Sequence, residues 1–154
     1  MPARKLKQFL DRYGVTYTSI GHQPAFTAPE TAEFVHVDGR DFAKTVIVKM
    51  AGEMAMVVLP ANRKIALAEL RELLERDDLE LATEDEFRGR FPDCELGAMP
   101  PFGNLYGLPV YLAQSLAEER EIAFNAGTHR EVIKMSYADY ADLVKPIVLD
   151  FVMA

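Results

Sequence analysis

Two β-rich runs, Phe42–Met50 and Met54–Leu59, flank the short turn Ala51-Gly52-Glu53, and this arrangement restricts the fold more than any other stretch of the chain. Such runs around a glycine turn specify an antiparallel hairpin, here stopped by Pro60, which has no amide to donate. Strand side chains alternate, so Phe42, Lys44, Val46, Val48 and Met50 share one face, and Ala43, Thr45, Ile47 and Lys49 share the other. Lys44 therefore falls on the more apolar face. An ammonium group there needs a cleft that holds an anion, a carboxylate that neutralises it inside, or a stem long enough to lift its head to solvent.

The rest of the chain alternates helical and strand-like stretches irregularly. Leu6, Phe9, Leu10 and Tyr13 recur at helical spacing between Pro2 and Gly14, which predicts a helix over 2–13 with Arg4, Lys5, Lys7 and Arg12 on its outer face. Val15–Ile20 reads as a strand, and Thr27-Ala28-Pro29-Glu30 has capping-box form before a helix over roughly 28–36. Asn62 is a candidate cap for a helix with the inner stripe Leu67, Leu70, Leu73 and Leu74. Leu79–Ala82 is a short strand, and Thr83-Glu84-Asp85-Glu86 opens a helix that ends before Pro92. Gly97-Ala98-Met99-Pro100-Pro101-Phe102-Gly103 is a shaped loop, because adjacent prolines remove two backbone donors. Strands over 109–113 and 121–125 are joined by a turn around Ser115, and Ala126–His129 forms a glycine turn before a strand at 132–135. Ser136 with Asp139 caps a last helix that stops at Lys145-Pro146, and the apolar tail 147–153 docks on the core. The pattern is that of an α+β single domain with a mixed sheet.

A chain of 154 residues with 49% hydrophobic content builds one full core and not two ordinary ones. A net charge of −7 excludes proteins that coat DNA or RNA by general electrostatics, so any RNA contact must be local. The single cysteine, Cys94, lies between Asp93 and Glu95, which would raise its pKa, and fits an inert thiol in a reducing cytoplasm. No signal core and no apolar window of ~20 residues is present, so neither export nor a membrane partner is expected.

Common catalytic sets are missing. The three serines occur without a G-x-S-x-G elbow, the three histidines without H-E-x-x-H, and no common phosphate-binding glycine motif is found. No metal or cofactor is expected. What remains is one lysine and two glycine loops, whose amides can approach a ligand closely and bind an anion or a developing oxyanion. Gly97–Gly103 could equally be a tight connection, and His22, two residues before Pro24, a turn residue.

Four stretches taken together resemble the YbaK/prolyl-tRNA synthetase-associated family: His22-Gln23-Pro24, Lys44-Thr45-Val46, Gly97-Ala98-Met99-Pro100-Pro101 and Phe124-Asn125-Ala126-Gly127-Thr128. The resemblance spans nearly the whole chain and implies a mixed, partly closed sheet wrapped by helices. It also implies hydrolysis of the ester of a mischarged tRNA bearing a small amino acid such as alanine, serine or cysteine. On that resemblance Lys44 holds the terminal adenosine phosphate or ribose region, and the amides of the Gly97 to Pro101 stretch, with Gly97 and Ala98 as its catalytic residues, face the ester carbonyl. Contacts to substrate would come from His22, Phe26 and Thr45, from Met99, Pro100 and Pro101, and from Asn125, Gly127, Thr128 and His129. Ala98 departs from relatives that carry a second glycine there. The implied partners are the acceptor end of a mischarged tRNA and an aminoacyl-tRNA synthetase. A non-catalytic module for a tRNA end or synthetase, and a hydrolase of an unrelated acyl ester, are the alternatives.

Overall fold

The computed structural model describes residues 4–25 and 27–153. Helix α1 (Arg4–Arg12) buries Leu6 and Leu10 and ends at Gly14, whose φ of 67° lets the chain turn back. Pro2 lies outside the described residues. Tyr13, expected on the inner stripe, is exposed, because the helix has already ended and its ring only packs against Phe9. Half of the basic outer face is committed: Lys5 donates to the Leu105 carbonyl at 2.8 Å and sits over the Tyr106 ring, and Lys7 pairs with Glu131.

Strand β1 (Tyr17–Gly21) is followed by α2 (Ala28–Phe34), whose cap Thr27 accepts the Glu30 amide as the capping pattern predicts. Strands β2 (Phe42–Met50) and β3 (Glu53–Pro60) form the expected hairpin, paired from Ala43↔Pro60 to Met50↔Glu53. Ala51 and Gly52 both have positive φ, the two-residue geometry that matches strand twist, and the Ala51 amide is braced by Asp78 at 2.5 Å. Helix α3 (Leu67–Leu74) begins at Ala66 and not at Asn62, whose side chain instead packs beside Gly39. Only Leu70 of its stripe is fully buried and Leu73 is exposed, because a two-turn helix presents too short a face to cover all four leucines.

Strand β4 (Glu80–Leu81) and α4 (Glu84–Phe87) are short. The Thr83–Glu86 box is complete, but the helix stops four residues before Phe91 and does not reach the proline. A 3₁₀ turn at Gly103–Leu105 precedes β5 (Val110–Ala113), and the expected turn around Ser115 is a one-turn helix, α5 (Gln114–Ala117), that buries Leu116. Strands β6 (Glu121–Asn125) and β7 (Glu131–Ser136) lead to α6 (Tyr137–Val144), capped by Ser136 on the Asp139 amide. The tail resolves as a strand, β8 (Ile147–Leu149), parallel to β5.

The sheet runs β1-β7-β6-β2-β3-β5-β8, with β4 joined to the far end of β2. Its β2–β6, β3–β5 and β5–β8 contacts are parallel and the others antiparallel, so the sheet is mixed as expected. Tyr17, Ile133, Phe124, Ile47, Met56 and Leu112 come from six different strands yet meet in one cluster, so the sheet curls around its main core. A flat sheet with strands spaced about 4.8 Å apart could not bring them together. The opposite face carries a cluster under α3 and a smaller one under α2 that holds Phe42, Ala123 and Val132.

Candidate active site

Lys44 stands at the seam between the two clusters of that opposite face. Phe42, two residues before it, belongs to the α2 cluster, and Val46, two residues after it, packs against the α3 cluster. The parallel register Phe42↔Ala123 and Ala43↔Phe124 sets Lys44 abreast of Asn125 on the same face. Burial, and then the like charge of Lys64, hold the Lys44 ammonium below its ordinary pKa. Among the described residues no carboxylate pairs with it, which removes the internal-carboxylate explanation. Thr45 points to the other face with Ala43 and Ile47. The strand therefore separates it from Lys44, and its buried hydroxyl has no partner among the described residues.

The two glycine loops are fastened together. Glu95 N donates to Gly127 O at 2.8 Å, Gly127 N to Ala98 O at 2.9 Å, and the Glu95 carboxylate accepts both the Thr128 hydroxyl at 2.7 Å and the His129 amide at 2.8 Å. The His129 ring completes the seam. Its Nε2 lies 2.7 Å from Leu96 O, and because a carbonyl can only accept, this nitrogen carries the proton. Burial alone would raise the Glu95 carboxyl, but these donors and the nearby His129 and Arg130 bring it below its ordinary value. Glu95 is thus not the neighbour that perturbs Cys94. Burial first, then Asp93, pushes that half-buried thiol up to about 11, against the Tyr106 hydroxyl.

Gly97 tops the seam at φ 84°, and a Cβ built there would sit 3.5 Å from His129 Cε1. Ala98 N–H is occupied by Glu95 O at 3.1 Å, so Ala98 does not offer the donor expected of it. The Gly97 and Met99 amides have no hydrogen-bond partner among the described residues. Behind them the loop is anchored inward: Met99 packs in the main core, Pro100 and Pro101 are buried, and the fully buried Tyr140 hydroxyl donates to Pro101 O at 2.7 Å. The diproline is a footing for the loop, and its side chains face protein.

His22 joins the same end through its amide, which donates to Arg130 O at 2.9 Å, while Ala25 N–H reaches His129 O at 3.2 Å. Its Nδ1 is 2.6 Å from Gln23 O and so carries a proton, while the buried Nε2 has no partner among the described residues. Asn125 is 9% exposed, and its Oδ1 is likewise unmatched. Phe26 lies outside the described residues. The structure thus gathers His22, Gly97, Gly127, Thr128 and His129 at one end of the sheet, with Lys44 and Asn125 side by side at the start of the same loop. Glu95 and Tyr140 are the supports that sequence reasoning missed. An acid beside Leu96-Gly97 and a tyrosine in an amphipathic helix carry no local mark of what they hold.

The curled mixed sheet with its surrounding helices is a fold shared with solved structures. One, provisionally described as a trans-editing enzyme for prolyl-tRNA synthetase, is 22% identical and superimposes with a TM-score of 0.82 over 99% of this chain and 98% of its own. A hypothetical protein is 19% identical, with a TM-score of 0.86 over 97% of this chain and all of its own. In a Marinobacter aquaeolei protein provisionally assigned to signal transduction, the match covers 97% of this chain but 30% of that one, at 17% identity and a TM-score of 0.78. Comparison with curated proteins finds no match. Residues 22–143 match the aminoacyl-tRNA editing domain family, and the chain belongs to that family. No helix among the described residues is long and apolar enough to cross a membrane.

Proposed function

We propose that this protein is a trans-acting aminoacyl-tRNA deacylase that hydrolyses the ester of a mischarged tRNA carrying a small amino acid of the alanine, serine or cysteine class. The observation that carries this reading is the exposed, left-handed Gly97, whose unpartnered amide is held in place by the Glu95–His129 seam. In the reaction a water oxygen bonds to the ester carbonyl carbon and the carbonyl oxygen gains negative charge. The ester C–O bond then breaks, and a proton passes to the departing ribose oxygen. Backbone donors already aimed at the developing charge lower this barrier without reorganising. Gly97 is the principal donor and Met99 a second, while Lys44 holds the terminal phosphate.

Editing by a second site has a physical reason. One methylene is worth only about 1–3 kcal/mol in a binding pocket, so a synthetase that accepts a larger amino acid cannot reject a smaller one well enough alone. In this reading the chain acts as one domain in the cytoplasm on the acceptor end of charged tRNA, with a synthetase as a further partner. Single-turnover deacylation on a panel of mischarged tRNAs tests the proposal. Hydrolysis of the small-amino-acid esters above the buffer rate supports it, and buffer rates across the panel overturn it.

A further inference from the structure

The chain carries a net charge of −7, yet three cations collect beside the candidate site. Lys44 lies opposite Leu59 on β3, and the chain leaves that strand at Pro60 in a turn that is fixed from both sides. Ala61 N donates to Phe42 O at 2.8 Å and Arg63 N to Pro60 O at 3.1 Å. From the C-terminal tail, Met153 N donates to Lys64 O at 2.9 Å, Phe151 O accepts from Ala66 N at 2.7 Å, and Ile65 bridges to Val152. Arg63 and Lys64 are therefore exposed on a braced turn, with Lys64 near enough for its charge to be felt at Lys44.

Among the described residues none of these three cations is in an ion pair, and what sets them apart from other cations that lack one, Arg4 and Arg12 of α1 among them, is that Arg63 and Lys64 stand on one braced turn beside Lys44. Like charges gathered without counterions repel, and an anion with several charges along its length relieves that repulsion. We propose that the Arg63-Lys64 turn, continuing outward from Lys44, is the docking surface for successive phosphodiesters at the single-stranded 3′ end of an RNA. This rests on the deacylase reading for the choice of RNA. Lys44 takes the phosphate nearest the ester, and Lys64 and Arg63 take those 5′ to it. On the basic outer face of α1, by contrast, Lys5 and Lys7 are spent on Leu105, Tyr106 and Glu131.

The experiment is fluorescence anisotropy of labelled uncharged tRNA across a salt series, with thermal unfolding followed on each preparation. Each phosphate released from a single strand removes about 0.7 from the log–log salt slope, so Arg63→Gln/Lys64→Gln should be about 1.4 shallower than wild type and Lys64→Gln alone about 0.7. Arg4→Gln/Arg12→Gln on α1 should keep the wild-type slope. An unchanged slope in Arg63→Gln/Lys64→Gln, an equal fall in the α1 variant, or no tRNA binding by the wild type would overturn the surface. Wild-type deacylation is measured alongside. Its absence with the slopes as expected would strike the enzyme reading and leave the surface standing.

Discussion

One oxygen of the Glu95 carboxylate accepts the His129 amide at 2.8 Å and the Thr128 hydroxyl at 2.7 Å, so this side chain joins the backbone bonds in setting where the Gly97 loop lies against the β6–β7 turn. Glu95→Ala should leave the core intact, since exposed charge-assisted contacts are screened and cost below about 1 kcal/mol. Misplacing reacting groups by about 1 Å can cost 10²-fold, so the single-turnover rate should fall about 10-fold to 100-fold. Glu95→Gln keeps an acceptor oxygen and should restore most of it. The carboxyl is held below its ordinary 4.5, so the seam is intact above that range and is lost as pH falls through the lowered value. A pH–rate profile that is acid-sensitive in wild type and flatter in Glu95→Gln is the expected outcome. Equal rates in wild type and Glu95→Ala would show that the seam is not needed.

The second anchor lies deeper. Tyr140 is fully buried, and its hydroxyl is the donor to Pro101 O at 2.7 Å. Tyr140→Phe leaves that buried carbonyl unmatched, which costs about 1–3 kcal/mol. Urea unfolding should show the midpoint falling with the slope unchanged. A variant as stable as wild type would mean that the carbonyl finds another donor.

Gly97 separates catalysis from scaffolding. Its would-be Cβ meets only ordinary contact at the His129 ring, so the obstacle to a side chain is the left-handed backbone and not crowding. An L-residue there costs about 1–2 kcal/mol, more when β-branched, and Gly97→Val relieves this by turning the amide away. Loss of one oxyanion donor lowers turnover by about 10²–10³, which is the fall expected at unchanged affinity for uncharged tRNA. Rate and binding that decline together with the folded fraction would mark Gly97 as a structural turn only.

The hairpin, the caps at Thr27, Thr83 and Ser136, and the faces of β2 were legible because each is encoded within a few residues. Period-two alternation put Lys44 on an apolar face before any partner strand was known. What could not be read was set by distant pairing. The place of the Gly97 loop depends on its pairing with Gly127 about 30 residues further on, and the cluster of Lys44 with Arg63 and Lys64 depends on a tail some 90 residues further on bracing the 60–66 turn. Asn62 had the chemistry of a cap, but tail pairing through Ile65 delays the helix to Leu67. The resemblance supplied the candidate residues, while their division into possible donors, anchors and supports came from the hydrogen bonds.

Lys44 offers a test in which stability and activity move in opposite directions with pH. Burial, then Lys64, lowers its pKa from the ordinary 10.5, so in the window between the lowered value and 10.5 the unfolded chain binds more protons at this residue than the folded one. Stability rises with pH wherever the unfolded state binds more protons, so the Lys44 contribution is unfavourable below the window and is relieved as pH rises through it. Phosphate binding needs the charged form and is lost over the same range. The difference between wild type and Lys44→Met isolates this residue from the other groups that titrate there. In urea unfolding the wild type should gain on Lys44→Met as pH rises, while its deacylation rate falls. Arginine stays protonated throughout, so Lys44→Arg should keep whatever activity its geometry allows without the alkaline loss. Lys44→Ala should remain folded and lose most activity, because it removes an unpaired charge and breaks no ion pair. A wild-type rate that stays flat through the window, or a folded Lys44→Ala that deacylates normally, would show that the ammonium does not hold the substrate.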